Sequence, residues 1–392
     1  MLFRISKTTW SLVFSCFCMF ALGLADNIRG PLFPELINFF GLSNSVGSLS
    51  FAFASGAALV GTMLSTLILS KIHLDKLLGY SILIMGLGLL LIGLAPDFKI
   101  FILGTIVFGF ALGTTAVAQN LIITENVEAH KKTKALSALH SLYGFSSLLA
   151  PYLAAHSAPF FLKFTPQGSL LTDWRSAYFV TAVLCFLMFL VLTSTSATPD
   201  FDYTKPEKSN SAKGVNFKAV ALMAGFFASY VGAEILVSTR LALYMRTYFG
   251  MNLEQSSQYV TYFFVFLLAG RLLFAVKSLK AHVKLQMNVC LVLSLALLIL
   301  GMWVHPFFLA VVGLAMAPFY PLAVAYISDI TGIYKRKYLT TVMSVQGVFV
   351  ISMHIGVGYM TDTLGLFSAF GVGIFLLLLS LICLNTHPKI SL

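Results

Sequence analysis

The stretch LGYSILIMGLGLLLIGLAP, residues 78–96, decides the fold class of this chain. It is continuously apolar and uncharged, and as a helix it is long enough to cross the hydrocarbon core of a bilayer, which takes about 20 residues. Across all 392 residues, 58% are hydrophobic and only 10% are charged, whereas soluble domains carry about 25% charged residues. This composition excludes a soluble globular enzyme, a disordered protein and a disulfide scaffold.

Similar apolar runs recur along the whole chain. None of them alternates between apolar and polar residues as the short strands of a membrane β-barrel do, so we predict an all-α membrane protein with twelve transmembrane helices. The predicted helices cover residues 9–28, 46–70, 78–96, 100–124, 135–156, 176–195, 218–239, 258–276, 285–304, 307–328, 339–361 and 366–385.

The longest polar stretch, TSTSATPDFDYTKPEKSNSAKG at 193–214, has the composition of a linker and divides the twelve helices into six plus six. We predict an N-terminal six-helix bundle at 1–195, a cytoplasmic linker at 196–216 and a C-terminal six-helix bundle at 217–392. A shift of about 210 residues places Pro306 on Pro96 and brings the two halves into register. Such pseudo-symmetric halves resemble the parallel repeats of major facilitator transporters, whose substrate site lies near the membrane midplane.

The basic residues indicate the orientation. Most of the 25 Lys and Arg, including the groups at 131–134 and 335–337, lie on one side of the membrane when the N-terminus is cytoplasmic. We therefore expect both termini in the cytoplasm of a bacterial inner-membrane protein. This bias explains the net charge of +11 without a nucleic-acid partner. The expected partners are the lipid bilayer and a small-molecule substrate, and we expect a monomer.

The first apolar run also resembles a secretory signal, because Arg4 and Lys7 precede it and Ala25 stands before Asp26 like a cleavage site. Cleavage there would leave eleven helices and place the C-terminus outside, against the charge bias. We interpret the run as an uncleaved first helix.

Cofactors and metals are not expected. The cysteines all lie inside apolar runs and suggest neither a disulfide framework nor a metal site. The chain has no nucleotide-binding signature, so a transport activity would draw on a proton or sodium gradient. An enzymatic activity is not expected.

Few acids lie within the apolar runs, and each calls for an explanation because a charge inside a bilayer is costly. Asp26 and Asn27 lie late in the first helix, and Glu234 lies in the seventh. Under the 210-residue shift Glu234 falls on Leu24, so each half places one carboxylate at a similar depth. These acids are candidates for carrying a proton beside a watery cavity, and the alternative is that each only pairs with a neighbouring Arg.

Other polar residues within the runs are candidates for proton coupling or substrate binding. Arg240 either reaches back to Glu234 or extends to the outer interface, and we favour the interface. Histidines titrate near neutrality, and amides suit the hydroxyls of a polyol or serve as contacts between helices. The remaining binding candidates are His140, His354, Gln119, Asn120 and Gln346. The expected gating residues near the cytoplasmic side are Lys71, Asp75, Arg271 and Asp329.

Several segments resemble the fucose–galactose–glucose:proton symporter branch of the major facilitator superfamily. They are GLADNIRGPLFPEL (23–36), FGLSNSVGSLSFAFASGAALVG (40–61), ALHSLYGFSSLLAP (138–151), SYVGAEILVSTRLALYMRTYFGM (229–251) and QYVTYFFVFLLAGRLL (258–273). The resemblance implies cation-coupled uptake of a monosaccharide and a functional acid at Asp26. The sequence departs from the family's pattern at two places. Ala116 stands where fucose carriers have a Glu, and the superfamily's gate motif between the second and third helices is reduced to LSKIHLDK (69–76).

Together these observations predict a secondary active transporter that moves a small polar solute, such as a monosaccharide, by alternating access coupled to protons or sodium. The alternative within the same fold is an exporter of a drug, a lipid or a siderophore-like amphipathic compound.

Overall fold

The computed structural model describes residues 7–128, 131–194, 217–276 and 281–386, and the predicted linker at 196–216 lies outside them. The described residues form fourteen α-helices. Their bounds are α1 Lys7–Asn27, α2 Arg29–Phe40, α3 Asn44–Leu69, α4 Leu74–Leu94, α5 Phe98–Asn126, α6 Lys132–Phe161, α7 Ser176–Ser194, α8 Phe217–Phe249, α9 Leu253–Val276, α10 Val283–Trp303, α11 Phe307–Met316, α12 Phe319–Thr331, α13 Lys335–Leu364 and α14 Leu366–Thr386. Two short 3₁₀ turns at Leu170–Thr172 and Gly332–Tyr334 complete the described secondary structure.

The helices coincide with the predicted apolar runs, and the all-α membrane fold class is confirmed. Ten helical stretches are long and apolar enough to cross a membrane, and Ser176–Val191 is a shorter apolar helix. The helix α6 covers the predicted fifth run. The tenth run, 307–328, consists of two helices, α11 and α12, and the first run, 9–28, corresponds to α1 and is followed directly by α2, which was not predicted.

Both interruptions lie next to proline residues. The first break falls at Ile28, three residues before Pro31, and the second at Ala317 and Pro318. Proline has no backbone N–H, so it leaves a carbonyl one turn earlier without its helical partner. Inside a membrane such carbonyls need another donor, and broken helices are tolerated where side chains supply one.

The described residues pack into two units, residues 7–29 with 53–194, and residues 30–52 with 217–386. The division into bundles at 1–195 and 217–392 stays a prediction, since the segment 30–52 packs with the later helices.

Close helix packing through glycine recurs within each unit. In the first, a Cβ on Gly113 of α5 would lie 2.0 Å from the carbonyl oxygen of Ala58 on α3. In the second, a Cβ on Gly313 of α11 would lie 2.4 Å from the carbonyl oxygen of Phe263 on α9. Small residues at such crossings let membrane helices approach closely, where van der Waals packing replaces the hydrophobic effect as the driving force.

Candidate functional sites at two carboxylates

The first unit holds an ion pair at the break between α1 and α2. Arg29 donates to the Asp26 carboxylate, and its Nε also donates to the backbone carbonyl of Asp26 over 3.2 Å. Tyr143 of α6 donates its phenol hydrogen to Asp26 Oδ2 over 2.8 Å. The Arg29 guanidinium lies 5.2 Å from the ring centre of Phe108. We call Asp26, Arg29 and Tyr143 the Asp26 cluster.

The Asp26 cluster is mostly covered by protein. The side chain of Asp26 is 25% exposed and that of Arg29 is 15% exposed. The neighbouring Asn27 donates from Nδ2 to the carbonyl of Gly23 over 2.8 Å and to Ser147 Oγ over 2.9 Å. The carboxylate therefore receives donors on both oxygens, and polar amide and hydroxyl groups stand beside it.

The second unit holds a matching arrangement at Glu234 on α8. The phenol oxygen of Tyr230 lies 2.5 Å from Glu234 Oε2 and 2.6 Å from the carbonyl oxygen of Met316, at the break between α11 and α12. Arg271 Nη2 of α9 lies 3.7 Å from Glu234 Oε1, and the two side chains are 35% and 20% exposed. The Tyr230 ring stacks on Phe319 at 4.1 Å. We call Tyr230, Glu234, Arg271 and the Met316 carbonyl the Glu234 cluster.

The expectation for Arg240 is wrong. Its side chain is only 2% exposed, so it does not extend to an interface. The Nη2 atom donates to Ser48 Oγ over 2.8 Å, and the guanidinium lies 4.1 Å and 4.9 Å from the ring centres of Phe33 and Phe51. Buried aromatic faces stabilise an arginine by cation–π attraction, so two rings and a hydroxyl group hold Arg240, and the arginine beside Glu234 is Arg271.

The four residues predicted to act in gating lie in different environments. Arg271, which we placed among the gating residues, belongs to the Glu234 cluster. Asp75 is buried in the first turn of α4, and its Oδ2 atom has no hydrogen-bond partner among the described residues. Lys71 and Asp329 are exposed. The gating role of these residues stays a prediction.

The remaining candidate residues occupy separate positions. Gln119 is fully buried on α5, and neither polar atom of its amide has a hydrogen-bond partner within the described ranges. Asn120 donates to its own helix at Ala116 O over 2.8 Å. His140 is exposed on α6 and Gln346 is half-buried on α13. Their binding roles stay predictions.

His354 of α13 is buried and stacks on Phe51 at 5.0 Å with an interplanar angle of 18°. This packing is the ordinary role of a histidine in a helical core. The aromatic residues Phe226, Phe227 and Tyr230 are likewise buried. Among the described residues, no group of three or more His, Cys, Asp and Glu is arranged to hold a metal ion.

Two tyrosines that complete the clusters were not identified as acid partners from sequence. Tyr230 precedes Glu234 by one helical turn, a spacing at which side chains meet, so this pair could have been found. Tyr143 is 117 residues from Asp26, and no local pattern indicates that contact.

The segment 30–52 also carries polar contacts that sequence reasoning did not identify. Arg246 of α8 donates to Glu35. Asp362 of α13 accepts from the backbone N–H groups of Asn44 and Ser45, over 2.9 Å and 2.7 Å, at the N-terminus of α3. A carboxylate at this end of a helix satisfies unpaired donors and complements the helix dipole.

The family follows from a match of residues 15–337 to the model of the Major Facilitator Superfamily. The chain belongs to the Major Facilitator Superfamily. The superfamily named from the sequence motifs is thereby confirmed, and the sugar symporter branch stays a prediction.

The chain is similar to the following proteins at low sequence identity. It is 30% identical over 135 residues to the sodium-dependent glucose transporter 1A of Mus musculus, a match that spans 34% of this chain and only 31% of the mouse protein. In the solved structures, a D-xylose–proton symporter is similar with a TM-score of 0.73 at 15% identity, covering 97% of this chain and 98% of that one. The fucose:proton symporter of E. coli has a TM-score of 0.64 at 16% identity, covering 98% and 100%. At such identities the structural likeness establishes the fold alone.

Proposed function

We propose that this facilitator is a secondary active transporter that moves a monosaccharide across a bacterial inner membrane, coupled to a proton or sodium gradient by alternating access. The observation that carries the proposal is the pair of mostly buried carboxylates, each with a phenol and an arginine beside it. Ionisable groups inside a membrane are expensive and mark ion or substrate pathways. A carboxyl group next to a phenol can bind and release a proton in place.

The polar groups beside the Asp26 cluster support a neutral, hydroxyl-rich solute. Asn27 and Ser147, which hydrogen-bond to each other beside this cluster, are uncharged groups that can exchange hydrogen bonds with a sugar. The similar proteins named above, which include a sodium-dependent glucose transporter and proton symporters of xylose and fucose, agree with this class. They also leave both cations as candidates for coupling.

The orientation belongs to the same proposal. The predicted cytoplasmic position of both termini follows from the distribution of Lys and Arg. Uptake from the outer side would then be driven by an inward cation gradient.

The test is uptake of labelled xylose, fucose, glucose and galactose into proteoliposomes under an imposed proton gradient, sodium gradient or neither. We expect gradient-dependent accumulation of at least one monosaccharide. The variants Asp26→Asn and Glu234→Gln should lose accumulation while retaining equilibrative exchange. Glu254→Gln is the matched control, because Glu254 is exposed in the first turn of α9.

Two results would contradict the proposal. Equal uptake with and without both gradients would refute cation coupling. A protein that moves none of these sugars but extrudes amphipathic dyes from the vesicles would instead be an exporter.

A further inference from the structure

Arg240 of α8 is a buried charge with an unused donor. A guanidinium stays protonated in proteins and has several N–H groups to donate. The side chain is almost fully buried, and its Nη2 atom donates to Ser48 Oγ over 2.8 Å. Within the described ranges, the Nη1 atom has no hydrogen-bond partner. Burial of a charge is costly unless an opposite charge or hydrogen bonds replace the water it loses.

The acids of the same unit do not supply an opposite charge to Arg240. Glu35 accepts from a different arginine of α8, Asp362 caps the N-terminus of α3, and Glu234 belongs to its own cluster. Among the residues that the structure describes, no acid forms an ion pair with Arg240, and burial alone acts on its charge. The guanidinium is therefore a surplus positive charge in the interior of this unit.

The groups that surround Arg240 are neutral. Its guanidinium lies against the rings of Phe33 and Phe51, and the second ring also stacks on His354. A ring face attracts a cation, but this attraction is weaker than that of a full negative charge. The Ser48 hydroxyl uses its own hydrogen on the carbonyl oxygen of Asn44 over 2.6 Å. These contacts hold the guanidinium in place and leave its charge uncompensated.

We propose that Arg240 forms a binding site for a small monovalent anion of the halide class, with chloride as the biological ligand. The anion accepts a hydrogen bond from Nη1 and neutralises the buried charge. The remaining contacts of the guanidinium, to Ser48 and the two rings, stay as they are.

The close packing around the guanidinium favours a single-atom anion over a larger one. A Cβ on Gly358 of α13 would overlap Ser48 Oγ, and a Cβ on Gly47 of α3 would lie 3.3 Å from the Phe33 ring. Backbone and aromatic rings thus approach this site closely. A halide needs less space here than the carboxylate and ring of an acidic sugar.

The site also connects two parts of the unit. Phe33, Ser48 and Phe51 belong to the segment 30–52, whereas Arg240 belongs to α8. An anion that neutralises Arg240 therefore stabilises the packing of this segment on α8. The inference does not rest on the proposed transport function, because it concerns binding to the folded protein.

The first experiment is thermal unfolding of the purified full chain in detergent, in sodium chloride, sodium gluconate or sodium Hepes at equal sodium concentration. We expect chloride to raise the Tm by about 2 °C above both larger anions, with saturation, because a ligand that binds only the folded state stabilises it by mass action. Arg240→Met should abolish this rise. An equal rise in Arg240→Met and in the unmodified protein would overturn the proposal.

Arg246→Gln is the matched control on the same helix. Arg246 is ion-paired with Glu35, so its replacement should lower the Tm in every salt and keep the chloride-dependent rise. Loss of the rise in Arg246→Gln as well as in Arg240→Met would mean that chloride acts through general charge effects, and this result too would overturn the site.

A second measurement uses the unmodified protein and does not depend on the folding of a variant. Bromide has the charge of chloride and scatters X-rays anomalously. Crystals grown in sodium bromide should give an anomalous peak within hydrogen-bond distance of Arg240 Nη1. Absence of this peak would overturn the proposal.

The gluconate arm separates the halide from an acidic solute. A larger Tm rise in gluconate than in chloride, lost in Arg240→Met, would refute the halide site and assign Arg240 to a sugar acid. Uptake of neutral sugars tests the proposed function separately, and its failure would leave a chloride-dependent Tm unchanged.

Discussion

The Asp26 and Glu234 clusters have the same composition but different bonding. Each combines a carboxyl group, a phenol, an arginine and a backbone carbonyl at a broken helix. Asp26 accepts hydrogen bonds from two donors, Arg29 and Tyr143. Glu234 shares its phenol with a second acceptor, and its arginine stands 3.7 Å away. Similar residues therefore hold the two carboxyl groups differently, with the arginine in direct contact in one unit and 3.7 Å away in the other.

The largest expected effect concerns the Asp26 ion pair. Breaking a mostly buried pair leaves an uncompensated charge, so Asp26→Ala should lower the free energy of unfolding by about 3 kcal/mol. The measurement is thermal unfolding in detergent of Asp26→Ala, Arg29→Gln and the double variant. This double-mutant cycle gives the coupling energy between the two side chains. The corresponding cycle for Glu234 and Arg271 should give about 1 kcal/mol or less. Equal couplings in the two cycles would remove the distinction between the clusters.

The next largest difference is expected between Tyr230 and Tyr143, in how much the free energy of unfolding falls when each loses its hydroxyl group. Tyr230→Phe leaves both the Glu234 carboxyl and the Met316 carbonyl without the phenol, so it should cost about 2 kcal/mol. Tyr143→Phe removes one donor from a carboxylate that keeps Arg29, and should cost about 1 kcal/mol. The measurement is the same unfolding assay on both variants, and a larger loss for Tyr143→Phe would reverse our ranking.

The smallest expected change in stability follows Arg271→Gln. The side chain is 35% exposed and lies beyond hydrogen-bond distance of Glu234, so the loss should stay below about 1 kcal/mol. The pH dependence of uptake should nevertheless shift, because a nearby positive charge favours the ionised form of an acid. The shift should be towards more alkaline pH, and an unchanged pH profile would show that Arg271 does not act on Glu234.

Most of the fold could be predicted from sequence because hydropathy acts locally. Runs such as 78–96 and 366–385 must be buried in lipid or protein wherever they pack, and helices are the only continuous way to satisfy their backbone. The prolines at 31 and 318 were visible as well. The breaks beside them were not predicted, because their stability depends on donors that come from Arg29 and Tyr230.

The candidate sites could be predicted only in part. The acids at 26 and 234 stand out because charges within apolar runs are rare, and this follows from composition alone. The partners of these acids could not be predicted from composition, because the rotation of each helix about its axis decides which side chains meet. Arg240 is nearer to Glu234 in sequence, yet Arg271 of another helix is the arginine beside it.

By itself, the sequence determined that the chain is a helical membrane protein, where its helices lie and which few acids they carry, since these properties depend on the cost of placing polar groups in hydrocarbon. Only the tertiary structure decided which phenol, arginine and backbone carbonyl surround each acid. That arrangement distinguishes a carboxylate in direct contact with an arginine from one whose arginine stands farther away, because the packing and rotation of the helices decide which side chains meet.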